Sequence, residues 1–187
     1  MPLSTEVVSE IDLFVRGGFE DRDRIIEIVT EEMYEPGELN AEEVEAAVDA
    51  ATAAHERQKA SWPPVTDCDK LDSVFASLSS KGVIALQYAG YTQSDGYEDI
   101  AEAYHVHPNR DSIIGYCFYH GQDLARAVDG GGLYLAFGPM DPKKESTEGP
   151  RIGALVAEEL KQVGFNVRWN GTFDQRIFVP EVEWKRR

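Results

Sequence analysis

Cysteine, positive charge and long apolar runs are scarce in this sequence, and each shortage closes off a class of function. Two cysteines in 187 residues, Cys68 and Cys117, are too few for a disulfide scaffold. That usage points to a reducing, bacterial-type cytoplasm. Eighteen Lys and Arg stand against 34 Asp and Glu, a formal net charge of −16. A surface of that sign repels phosphate backbones, so nucleic acid is not an expected partner. No apolar run approaches the ~20 residues that a bilayer-spanning helix needs, so no membrane is expected either. The opening MPLSTEVVSEIDLF has an early acid and no basic region, and no signal peptide is expected.

What is present suits a packed core: 42% of residues are hydrophobic and 10% aromatic. The length allows one ample domain, or one domain with a helical extension. The negative charge is uneven. Residues 1–60 hold 16 acids and 5 bases, whereas residues 61–187 hold 18 and 13. Acidic helix faces are usually just solvated, but such a surface also suits docking to a basic protein partner.

Residues 1–61 read as an acidic helical segment. Val7, Val8, Ile11, Phe14 and Val15 share a helical stripe closed by Gly17-Gly18. A second helix would bury Ile25, Ile26, Val29 and Met33 before Pro36-Gly37. Asn40 with Glu43 resembles a capping box opening a third, with Val44, Ala47, Val48 and Ala51 inward. Trp62-Pro63-Pro64 then breaks the helical pattern.

From 62 to 187 helices and strands alternate, giving an expected α+β, α/β-like sandwich with a mixed sheet of about five strands. Strands are expected at Val83–Tyr88, Ser112–Tyr119 and Leu133–Phe137, and Pro150 should open a long helix. Phe165–Trp169 and Thr172–Val179, joined at Asn170-Gly171, read as a closing hairpin.

The runs TDCDKLD at 66–72, AGYTQSDGYEDI at 89–100, GYCFYHGQDL at 115–124 and GGGLYLAFGP at 130–139 resemble an uncharacterised bacterial family catalogued as a domain of unknown function. WNGTFDQRI at 169–177 fits the same pattern. The resemblance implies no activity. Some relatives carry a cysteine pair near 91–95, where this chain has Tyr91, Thr92, Gln93, Ser94 and Asp95.

If the three strands run parallel, their carboxyl ends share one edge, the usual ligand-binding edge of such sheets. That edge would gather His120, Asp123, Asp95 and Glu98 as candidate acid–base residues. Tyr91, Gln93, Tyr97, Tyr119, Gln122 and Asp141 are candidate ligand contacts, with Lys143 nearby. Histidine titrates near neutrality and suits proton transfer beside carboxylates. The plain alternative is that Gln122 and Asp123 cap a helix and His120 bonds a backbone carbonyl.

Other motifs fade on inspection. His105 and His107 lack a third ligand at metal spacing, the 67–78 stretch fails the calcium-loop pattern at Asp72 and Leu78, and Cys117 sits in an apolar run that makes its thiol inert. The glycines at 130–132 precede a strand, the wrong order for a phosphate loop. No metal and no cofactor are expected. Two functions remain: a non-catalytic binding or regulatory protein of the inhibitor or immunity type, whose partner is a basic protein or a small molecule, and a small-molecule acid–base hydrolase or isomerase using His120. Catalysis and oligomeric state are both left open.

Overall fold

The computed structural model describes residues 2–187, which form two compact units. The first comprises the residues up to Thr66 together with Trp184–Arg187, and the second is Asp67–Glu183.

In the first unit α1 spans Thr5–Gly17, α2 Arg22–Glu27 and α3 Ala41–Lys59. Each begins where a short polar side chain can accept from the first turn. Ser4 accepts from the Val7 amide at 3.3 Å, Asp21 from Arg24 at 2.9 Å and Asn40 from Glu43 at 3.0 Å. Val7, Ile11 and Val15 of α1 pack on Ile25, Val29, Val44 and Val48, a one-sided core consistent with the apolar spacing. Val8 falls outside that stripe and is exposed.

The second helix does not end as its spacing suggests. A π-turn, Ile28–Glu32, follows α2, and the Met33 amide donates to the Ile28 carbonyl five residues back. The wider turn inserts a residue into the helical count. Ile28 therefore enters the core, and Met33, expected inside, faces solvent at 42% exposure.

The second unit runs α4 (Asp67–Ser80), β1 (Val83–Leu86), α5 (Gln93–Val106), β2 (Gly115–Phe118), α6 (Gly121–Val128), β3 (Leu133–Gly138), α7 (Glu145–Gln162) and β4 (Ile177–Val179). The sheet order is β1-β2-β3-β4. β1 and β2 are parallel, with Val83 opposite Gly115, while β3 is antiparallel to both β2 and β4. Ile84, Tyr116, Phe118 and Ala136 meet Ile100 of α5 on one face. α5 comes this close because Gly96 has no Cβ: one placed there would lie 2.3 Å from the Phe118 ring.

The fold is α+β with a mixed sheet, as expected, but it has four strands and not five. The hairpin's first arm contributes a single bridge, Arg168 to Phe178. Beyond it, the Trp169 indole donates to the Thr172 and Gln175 carbonyls, and Asn170 accepts from the Thr172 amide. Those bonds curl residues 170–175 into a loop and stop the ladder. α7 also begins five residues before Pro150, after a short 3₁₀ turn at Pro142–Lys144. The proline is tolerated one turn in, at the loss of one backbone donor.

The direction of β3 also differs from a three-strand parallel arrangement. α6 is only about 12 Å long and stays at the edge where β2 ends. Gly130 and Gly132, left-handed at φ 80 and 79, then turn the chain straight back beside β2.

Candidate functional site

The carboxyl ends of the parallel pair β1 and β2 lie side by side, and their loops are bonded together. The Ala89 amide donates to Tyr119, Gly121 to Gly90, and Gln122 to Tyr91, at 2.9, 2.9 and 3.1 Å. Holding that path requires left-handed backbone at Gly90 and also at Tyr88, the one non-glycine residue with positive φ (55) among the described residues. A tyrosine there is strained, a feature that tends to gather at binding and catalytic loops.

Beneath the loops lies a charged cluster, His120, Asp123 and Arg176. His120 Nε2 is 2.9 Å from Asp123 Oδ2, which also accepts from Arg176 Nη1 at 2.8 Å. Both acid and imidazole are buried, at 1% and 4% exposure. Because Arg176 only donates, its 3.3 Å approach to His120 Nε2 sets two donors around one carboxylate oxygen. The ring nitrogen facing Asp123 is therefore Nε2–H. Nδ1 is buried, and the Tyr91 backbone also acts on the ring.

Burial is the largest influence on His120 and holds its pKa below the ordinary histidine range. Asp123 and the Tyr91 carbonyl favour the charged ring, while Arg176 opposes it. Arg176 also lies over the Tyr134 ring at 5.0 Å, and that ring stacks on Phe178 at 4.3 Å.

The other candidates take varied places. Asp95 is a cap: its carboxylate accepts from the Thr92 amide at 2.8 Å, which chiefly holds its pKa low. Tyr119 is fully buried, edge-on to Phe75, with its hydroxyl donating to Gln87. Tyr91 is 67% exposed; Tyr97 is 40% exposed, leans on Phe118 and takes a bond from Gln93. Glu98 and Gln122 are exposed. Asp141 follows an antiparallel strand, so it sits at the other end of the sheet, where it caps the turn at Lys143. His105 is exposed, and His107 accepts from the Asn109 amide. Among the described residues no three His, Cys, Asp or Glu side chains gather as metal ligands. Burial pushes the Cys117 thiol up and leaves it un-nucleophilic.

Arg176 was not evident in the sequence, being 53 residues from Asp123. A signal was present nonetheless: Asp123 shares the apolar face of α6 with Leu124 and Ala127, and a buried carboxylate requires a cation.

A shallow cavity of about 400 Å³ adjoins Tyr88. Leu86, Ala103 and Val106 give it apolar walls, and Asp99 and Glu102 add carboxylates. No helix among the described residues is long and apolar enough to cross a membrane.

No curated protein and no solved structure matches the chain. A family described as a domain of unknown function (DUF6891) matches residues 2–187, taking in the acidic helices as well as the sheet. The chain belongs to that family.

Proposed function

We propose that this is a non-catalytic binding or regulatory protein of the cytoplasm, which docks a basic protein through its first unit. One observation carries the reading. The π-turn expels Met33 from the core and leaves it exposed in a stretch whose neighbours in sequence, Glu31, Glu35 and Glu38, are exposed carboxylates. An exposed, adaptable apolar side chain in an acidic stretch suits a cationic, amphipathic surface, and π-turns recur at functional positions. The reducing compartment is supported by two cysteines that are both buried and unbridged. Immobilised full chain should retain a partner at 50 mM salt and release it as the salt rises. The Met33→Ser chain with Glu31→Gln and Glu35→Gln should retain it at least tenfold less. Equal retention by both chains ends this reading.

A second reading has its own support: a buried imidazole oriented by Asp123 under a strained loop has the parts of a general acid–base group. It requires the loop at Tyr88–Tyr91 to open. Diethyl pyrocarbonate tests access, because it modifies only reachable imidazoles. Modification of exposed His105 with none at His120, in the folded chain, removes the acid–base reading.

A further inference from the structure

Residues 181–187 form no helix or strand, yet Trp184–Arg187 packs within the first unit. The segment is held as a bound peptide would be, by side-chain tips and backbone carbonyls. The Trp184 indole donates to the Gly17 carbonyl at 3.4 Å, and the Arg186 carbonyl bonds His55 Nε2 at 3.0 Å. The Arg186 guanidinium lies over the Phe19 ring at 4.1 Å. Its stem lies so near Gly18 that a Cβ there would sit 3.1 Å from it. Arg187 donates to the Pro63 carbonyl at 2.5 Å and lies 6.0 Å over Trp62, whose ring meets His55 edge-on. Three cations, Lys185, Arg186 and Arg187, thus sit in a unit whose other residues carry 16 acids and 5 bases.

We propose that the surface joining Gly17–Phe19 to His55–Pro63 is a recognition groove for a short cationic peptide, that Trp184–Arg187 is its resident occupant, and that an external segment with an indole followed two residues later by a guanidinium competes for it. Aromatic rings that take guanidinium groups, beside carbonyls that take N–H donors, read this pattern and no acidic one. The residues are separate from the Met33 patch, so the groove stands whether or not that patch docks a protein. A tethered occupant has a local concentration on the order of millimolar, so the groove is mostly closed to competitors.

The probe is a fluorescein-labelled peptide of residues 182–187, read by anisotropy. The full chain carrying Trp184→Ala, Arg186→Ala and Arg187→Ala, folded by circular dichroism, should bind it at least tenfold more tightly than the unaltered chain. Adding Phe19→Ala to that variant, or exchanging the peptide's two arginines for alanine, should remove the gain. Equal binding by the variant and the unaltered chain overturns the proposal. So does binding that survives Phe19→Ala. An unfolded triple variant also overturns it, because a displaceable occupant is not required for folding; the single Arg186→Ala chain then only has to confirm the loss of stability.

Discussion

Asp123 is the residue on which the second unit's charged cluster turns. Its carboxylate is buried and holds one guanidinium and one imidazole on a single oxygen. Replacing Arg176 by Met strands that charge in the interior and should cost about 3 kcal/mol in urea unfolding. Glu159 on α7 is the counterpart between helices, accepting from Ser77 at 2.5 Å and from Lys81. Lys81 and Ser77 hold its carboxyl below the usual range, and Glu159→Ala should cost about 2 kcal/mol by the same measurement. The two buried histidines add a pH dependence. His55 and His120 lie below the ordinary range chiefly through burial, so the unfolded chain takes up protons first as pH falls through about 6.5. Above that value neither state is charged and nothing is lost; below it stability declines. The urea midpoint should therefore drop between pH 7.5 and 5.5, and drop less in a His55→Asn, His120→Asn chain. An equal drop in both chains would place the effect elsewhere.

At the scale of the element, α5 shows how tightly the sheet and its helices are fitted. Gly96→Ala pushes a methyl group into Phe118 and should cost about 1–3 kcal/mol in thermal or urea unfolding, while a neutral effect would mean the helix can retreat. Thr92→Ala removes the cap that fixes the start of α5 and should cost about 1 kcal/mol. Much of this level was legible beforehand. The caps at Asn40 and Gly18, the inward residues Val7, Ile11, Val15, Val44 and Val48, and the adjacency of the loops after β1 and β2 all follow from local spacing and chirality. What escaped was non-local or off-period. A π-turn leaves no mark in a 3.6-residue pattern, so Met33 looked like core. The short first hairpin arm lost its ladder to bonds that Trp169 and Asn170 make within their own loop, and alternation along the strand does not report them. β3 reversed because paired left-handed glycines at Gly130 and Gly132 set its direction. Arg176 met Asp123 only through the sheet. The candidate site was thus half visible: the His120–Asp123 pair lay in one short run, and its cation did not.

For the whole molecule the dominant property is its charge of −16. Self-repulsion of that size opposes compaction and is screened by salt, so the melting temperature should be higher in 500 mM than in 20 mM NaCl; a fall with salt would mean that the surface ion pairs outweigh the repulsion. In the first unit Arg22 on Asp49 and Arg24 on Glu27 and Glu32 offset part of it, yet such exposed pairs are screened by solvent and contribute little. A basic partner of the kind proposed would neutralise part of the remainder. Hydrogen–deuterium exchange on the full chain, alone and with the retained basic protein, tests this most directly. Slowed exchange across residues 28–43 is the predicted result, and slowing confined to residues 88–123 with 28–43 unchanged would contradict it.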